Sequence, residues 1–243
     1  MDVGGGQRAH PRADVTVDKY VVDNYERAGA AALDFSRPLV VADAERLPFA
    51  DATFAYVIAS HVLEHANDPV QFAAELSRVG AAGFVQVPSR DSELVFGWPF
   101  HPWLVDLDSS GLRFAPKPGG VQRNDQSMHD AFAESALLRI AWLAHRSRWQ
   151  HSVHWERNLA VSVTGAIGAH SHASVDVEAT IAAVASITAP RALAAGVRAS
   201  LRCPICRAAL ADQNDRLGCS ECSVHYPVVN EVPILLAEAA SRI

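Results

Sequence analysis

Short apolar runs alternate with polar connections through the first third of the chain. Val15-Thr16-Val17-Asp18 is a β-branched run that ends in an acid, and Leu39-Val40-Val41-Ala42 is apolar throughout and runs straight into Asp43-Ala44-Glu45. Phe54 to Ala59 is nearly continuous, and Phe84-Val85-Gln86-Val87 stops at Pro88. Unbroken apolarity of this length marks strands buried on both faces rather than half-exposed ones. Between the last two, Asp68 and Pro69 read as the N-cap and first residue of a helix running to about Val79, with Gly80 and Gly83 bracketing its end. Strands alternating with helices or connections predict an open α/β sheet.

The chain opens on Met1-Asp2-Val3 and then Gly4-Gly5-Gly6, which reads as a strand end turning into a ligand loop, since glycine reaches φ > 0 without a Cβ clash. Three residues are few for a strand, so either the start is truncated or the central strand is unusually short. Eight residues separate Gly6 from Val15, whereas a parallel crossover normally takes about a dozen or more. Pro11 also disfavours a helix there. A turn in place of the first helix is expected.

Further along, Tyr20 to Phe35 is mixed with an alanine-rich, helix-compatible end. Residues 88–124, rich in Pro, Gly and aromatics, read as a long irregular lid or pocket wall. Met128 to about Arg146 has helical periodicity through Phe132, Leu137, Ile140 and Leu143. His151 to Trp155 and Leu159 to Val163 read as a closing hairpin around Glu156-Arg157-Asn158. Residues 165–200 read as a linker or docking arm, with a helix around Val175 to Ile187 and a break at Pro190.

The 243 residues suffice for one sizeable domain and a small one. A net charge of −6 argues against a strongly basic nucleic-acid surface. No apolar run reaches the roughly 18 residues of a membrane span and no signal peptide opens the chain, so a cytoplasmic location with no membrane partner is expected. All four cysteines fall between residues 203 and 222, and a reducing compartment favours metal over disulfides for such a cluster.

Taken in order, Asp2-Val3-Gly4-Gly5-Gly6, the strand ending in Asp18, Asp43-Ala44-Glu45-x-Leu47-Pro48-Phe49, and Val57-Ile58-Ala59-Ser60-x-Val62-Leu63-Glu64-His65 resemble the class I S-adenosylmethionine-dependent methyltransferases, in the subgroup with D-A-E-x-L-P-F and V-L-E-H signatures. The resemblance covers roughly residues 1–88. It implies an open, mostly parallel Rossmann-like sheet, here clipped at its N-terminus, with S-adenosylmethionine as cofactor. It also implies cofactor contacts from Asp2 near the amino group, from the Gly4, Gly5 and Gly6 backbone, from Asp18 to the ribose hydroxyls, from Asp43 and Ala44 to adenine, and from Ser60. The residue types suit that task independently, because a ribose diol needs a carboxylate acceptor and an adenine amino group a carbonyl or carboxylate. A nicotinamide dehydrogenase is the rival: Gly4-x-Gly6-x-x-Ala9 nearly fits its fingerprint, but Asp18 comes too early for the acid expected about 20 residues on. The helix that would meet a pyrophosphate is also missing.

His61, just past the fourth strand, reads as a base or positioning group, and His101, set among aromatics, as a substrate-site residue or a satisfied histidine in a flap. His65 reads as a cap or packing residue. His145, His151, His154, His170 and His172 read as surface or packing residues. The sharpest single signal is Cys203-x-x-Cys206 and Cys219-x-x-Cys222 with twelve residues between the pairs. That pattern suits four-thiolate Zn2+, with two disulfides as the alternative. Together with Tyr226 to Leu236 it resembles the small zinc-ribbon activator subunit of tRNA, ribosomal RNA and release-factor methyltransferases. In that family the ribbon binds and stabilises a methyltransferase domain, which implies a structural ion here.

The resulting organisation is a methyltransferase domain over 1–165, a helical linker over 166–200 and a zinc ribbon over 201–243. Methyl transfer to an O, N or C nucleophile is expected, and the acceptor (small molecule, protein or RNA) is not written in the sequence. A homo-oligomer is compatible with it. The alternatives from other classes are a non-catalytic scaffold that binds a partner protein, and RNA binding through the ribbon.

Overall fold

The computed structural model describes residues 1–27, 33–118, 127–166, 174–213 and 215–242. Its parallel centre forms where the apolar runs lie. Strands β1 (Asp2–Val3), β2 (Thr16–Asp18), β3 (Leu39–Ala42) and β4 (Val57–Ser60), then helix α1 (Pro69–Val79) and strand β5 (Ala82–Pro88), give the spatial order β3-β2-β1-β4-β5, every pair parallel. The order reverses between β1 and β4, and ligands of doubly wound sheets bind at that switch point, beyond the carboxyl ends of the strands. Val40 and Val41, on opposite faces of β3, are both fully buried, which explains the unbroken apolar run. In α1 the Asp68 carboxylate accepts from Gln71 N at 2.9 Å, Pro69 opens the helix, and Phe72, Ala73, Leu76 and Val79 are buried.

No helix joins β1 to β2. The connection is made of turns, with Ala13 N donating to His10 O. The sheet face carrying Asp2, Ile58, Ser60 and Phe84 is left facing a hollow of about 1000 Å³.

Three expectations are corrected downstream. The described part of the 88–124 segment, residues 88–118, is not irregular: α2 (Arg90–Phe96) is capped by Ser89, whose hydroxyl accepts from Ser92 N, and β6 (Trp103–Asp108) and β7 (Gly111–Pro116) form a hairpin. Trp103, Leu104, Val105, Leu112 and Phe114 are its buried apolar residues. The helix expected over 128–146 is interrupted into α3 (Ser127–Glu134), α4 (Ala136–Ala144) and α5 (Arg146–Trp149), because the Ser135 hydroxyl caps Leu138 N and starts a new helix. Its periodic apolar residues face outward, with Leu137 75%, Ile140 62% and Leu143 62% exposed. The closing hairpin does not form either. Strand β8 (Gln150–Glu156) pairs antiparallel with β5, but β9 (Val161–Val163) pairs parallel with β7. Arg157, in the left-handed region at φ +62°, turns the chain out of the main sheet, and its N–H donates to Ala81 O.

The remainder comprises α6 (Val177–Ala185), α7 (Ala195–Ala199), β10 (Ala211–Asp212), β11 (Arg216–Cys219), β12 (Val224–Val229), β13 (Val232–Leu235) and β14 (Ser241–Arg242). Strand β13 pairs in parallel with β3, Ile234 beside Val41 and Leu235 beside Ala42, so the cysteine-bearing unit continues the central sheet beyond β3. Leu39 and Val41 form one core with Val184 of α6 and Val232, Ile234 and Leu236, while Val40 and Ala42 belong to the larger core on the other face. Among the described residues no helix is long and apolar enough to cross a membrane. Gly119, Gly120, His170 and His172 lie outside the described residues, as does the alanine-rich stretch 28–32.

Candidate functional site

The carboxyl ends of β1 to β4 open into one cleft, lined among others by Gly4, Asp18, Asp43, Ala44, His61 and His65. Gly4 follows β1 directly at φ +65°, and a Cβ there would come within 2.0 Å of Val62 Cγ2. Only glycine fits this bend, for reasons of backbone geometry and packing alike. Asp18 ends β2; its carboxylate accepts from Tyr20 N at 3.1 Å and lies 3.9 Å from the Arg27 guanidinium. Burial pushes the Asp18 carboxyl up to about 6 despite Arg27. Asp43 leaves β3 and caps the 3-10 turn Ala44–Arg46 through Glu45 N at 2.9 Å, while its other oxygen pairs with Lys19 at 2.7 Å.

The lining is acidic, with Asp18, Asp23, Glu26, Asp43 and Glu45 against Lys19 and Arg27. Such a cleft favours a cationic guest and opposes a pyrophosphate. S-adenosylmethionine carries a sulfonium and an ammonium, and the donor set therefore fits it.

Asp2, Gly5 and Ser60 lie elsewhere. They line the hollow on the other face of the sheet, where the Asp2 carboxylate accepts from His10 N at 2.7 Å. Gly6, at φ +54°, accepts from Asp34 N and borders neither space. Asp18 and Asp43 thus share a cleft that Asp2 does not enter.

His61 follows β4 at φ +56°, unusual for a residue with a Cβ, with its N–H on Gln86 O at 2.8 Å. Its Nδ1 stands 3.4 Å from the fully buried Glu64. Burial pulls the His61 imidazole down, and Glu64 more than offsets this, so its pKa is raised. Conversely, burial pushes the Glu64 carboxyl up, and His61, His65 and His101 outweigh it and hold it low. His101 does not border the cleft. It is buried behind His65, with ring centroids 4.6 Å apart, and its Nδ1 meets Glu93 Oε2 at 2.7 Å. Burial, reinforced by His65, pushes the His101 imidazole down. The Trp103 indole N–H donates to Ala66 O at 2.7 Å, which ties the β6–β7 hairpin beneath this loop. Of the outlying histidines, His151 contacts Val105 O at 3.2 Å and His154 contacts the Tyr56 hydroxyl at 3.0 Å.

Sequence reasoning did not single out Lys19, Glu26 or Arg27 for the cleft. No motif announces them, although Lys19 directly follows Asp18.

The four cysteine sulfurs lie within 4.8 Å of one another, with Cys203–Cys222 at 3.9 Å and Cys206–Cys219 at 3.5 Å. A tetrahedron with Zn–S of about 2.3 Å has edges of about 3.8 Å, so these residues fit a four-thiolate ion. The separations are too long for disulfide bonds. Burial raises the Cys203 thiol, but the Tyr226 hydroxyl at 3.4 Å and the N–H groups of Cys206 and Ile205 bring it down to about 7.

The cysteine unit braces the segment behind Asp43. Arg46 donates to Pro204 O at 3.1 Å, Arg202 N to Pro48 O and Ala50 N to Ser200 O.

Residues 2–83, about a third of the chain, match the family described as "Methyltransferase domain". Three solved structures share parts of the chain. One is a protein of Bacillus halodurans C-125 assigned as a methyltransferase, 23% identical over 36% of this chain and 43% of that one, TM-score 0.27. The second is the complex of the Haloferax volcanii Trm112 methyltransferase activator with an assigned methyltransferase, 15% identical over 66% and 81%, TM-score 0.36. The third is an S-adenosylmethionine-dependent methyltransferase of Mesorhizobium loti, 14% identical over 63% and 89%, TM-score 0.33. The stretch shared with the Bacillus protein is under half of that protein's length. No curated protein sequence matches the chain.

Proposed function

We propose that the protein is a methyltransferase that draws its methyl group from S-adenosylmethionine. The observation that carries this reading is the convergence of Gly4, Asp18, Asp43 and Ala44 on one acid-lined cleft at the switch point of the sheet, within the stretch that matches the methyltransferase family. When bound, the cofactor supplies a methyl group activated on a sulfonium. Asp18 accepts from the ribose hydroxyls, Asp43 and Ala44 meet the adenine edge, and the acidic lining favours the cofactor's positive charge. His61, 42% exposed at the cleft, is the group available to orient the acceptor or take its proton. Displacement at a sulfonium needs alignment of the nucleophile more than acid–base help. Isothermal titration with S-adenosylmethionine and with NAD tests the reading: binding of the first and not the second is expected, and the reverse rejects it.

The cysteine unit holds a structural Zn2+ in this reading and supports the cofactor domain from within the same chain. The backbone links from residues 200–204 to residues 46–50, and the β13–β3 pairing, favour that role.

A second reading is a non-catalytic scaffold, favoured by the ion pairs Lys19–Asp43 and Arg27–Asp18 across the cleft. Formation of S-adenosylhomocysteine with any acceptor rules it out.

A further inference from the structure

Glu64 is fully buried, and neither of its carboxylate oxygens has a hydrogen-bond partner. A buried carboxylate in that state is costly unless another charge compensates it. Imidazoles surround it. His65 is the next residue, and His101 arrives from the segment between α2 and β6. One ligand atom from each of Glu64, His65 and His101 lies within 4.8 Å of the other two. His65 Nδ1 is likewise buried without a hydrogen bond, with Glu26 Oε2 at 3.5 Å. His61 Nδ1, at 3.4 Å from Glu64, is close without the geometry of a hydrogen bond.

The third member is held from behind. His101 Nδ1 is engaged by Glu93, itself buried and fixed by the Lys117 ammonium, which leaves Nε2 as the ring's other nitrogen. A carboxylate on one ring nitrogen is the usual support for an imidazole that ligates through the other.

We propose that Glu64, His65 and His101 form a binding site for a divalent first-row transition ion in the inner wall of the cleft. Two imidazoles and one carboxylate suit Mn2+, Fe2+, Co2+ or Zn2+ rather than Ca2+, which takes oxygen ligands. Three protein ligands leave at least one position for water or an oxygen donor, and His65 borders the cleft where such a donor would enter. The site is built from side chains alone and stands or falls apart from cofactor binding.

The test uses the full chain loaded with a single equivalent of Zn2+, which the four thiolates take in preference to a nitrogen and oxygen site, and titrates Co2+. One further equivalent is expected, with visible d–d bands, no thiolate-to-cobalt charge-transfer band, and paramagnetic shifts of the assigned ring protons of His65 and His101. Glu64→Gln, which keeps the shape of the side chain, abolishes that uptake. Glu93→Gln, acting through the orientation of His101, weakens it by about 10–100-fold. Three results overturn the proposal: no uptake beyond the zinc, uptake only by exchange into the thiolate site, or shifted resonances at other histidines. Should Glu64→Gln fail to fold, the wild-type resonances alone decide the matter.

Discussion

Glu75 of α1 and Arg207 of the first cysteine knuckle, 132 residues apart in sequence, meet at 2.8 Å. Glu75 is 2% exposed, and its carboxylate also takes Arg78 at 2.8 Å, while Arg78 in turn donates to Phe49 O and Leu47 O. One buried acid therefore fastens the knuckle, the helix and the Leu47-Pro48-Phe49 loop together.

The two ends of that link differ in exposure and so in expected cost. Arg207 is half exposed, and a pair open to solvent contributes about 0–1 kcal/mol. Arg207→Ala should lower stability by no more than that. Glu75→Ala takes the buried acid from Arg78, which keeps Asp51 at 2.8 Å and the carbonyls of Phe49 and Leu47, so the loss should be about 1.5–3 kcal/mol. Urea unfolding of both single variants and the double variant checks this. Equal losses for the two single variants would mean that the knuckle, not α1, is the anchoring side.

Removal of the ion proposed at the cysteines should reach the cofactor cleft. A small metal-stapled unit loses its structure with its metal, and here that unit supplies β13 to β3 and holds residues 46–50. Cys206→Ser should lower the melting temperature by about 10 °C, since each kcal/mol is worth about 2–4 °C at this chain length. It should also weaken S-adenosylmethionine binding. A Cys206→Ser protein with unchanged melting temperature and affinity would refute the supporting role.

Close packing at one glycine and open space at another give a paired prediction. A Cβ at Gly83 would lie 2.3 Å from Val57 O and 2.6 Å from the Trp155 ring, against backbone that cannot yield. Gly83→Ala should destabilise by at least the roughly 1–3 kcal/mol of overpacking. Gly196 sits inside α7 with nothing within 4 Å of its Cβ position. Gly196→Ala should stabilise by about 0.5–1 kcal/mol through helix propensity. Thermal melts of the two variants should move in opposite directions.

What the sequence made legible was whatever local chemistry decides. Strand β3 follows from an apolar run buried on both faces, β2, β4 and β5 from apolar runs of which β4 and β5 turn one face partly to the hollow, and α1 from Asp68 and Pro69 at its start. The cleft acids Asp18 and Asp43 were readable as strand-terminal acids. Misreadings arose where partner choice is not local. Leu159 to Val163 has strand character, but whether β9 joins β8 or β7 depends on the left-handed turn at Arg157, a residue with no intrinsic bias to that conformation. The β6–β7 hairpin was hidden by the prolines and aromatics around it, although Asp108-Ser109-Ser110-Gly111 is a turn sequence. Helical spacing alone could not show that Leu137, Ile140 and Leu143 face outward. The grouping of Glu64 and His65 with His101 joins positions far apart in sequence, and no spacing rule reports it.

Asp18 links the cleft to pH. Its carboxyl is raised by burial from the ordinary 3.8 to about 6, so the folded state holds that proton more tightly than the unfolded chain does. Its contribution to stability is therefore most favourable in acid and falls as pH rises from about 4 to about 6. Ligand binding should run the other way. A carboxylate accepts from two ribose hydroxyls, whereas the protonated acid has one oxygen turned into a donor. S-adenosylmethionine affinity should thus rise between pH 5 and pH 7, with a midpoint near 6, and level off above. Asp18→Asn cannot titrate: it should bind more weakly at pH 7 and lose this part of the pH dependence. Calorimetric titrations of both proteins across that range check the point, and an unchanged pH profile in the variant would assign the midpoint to another group.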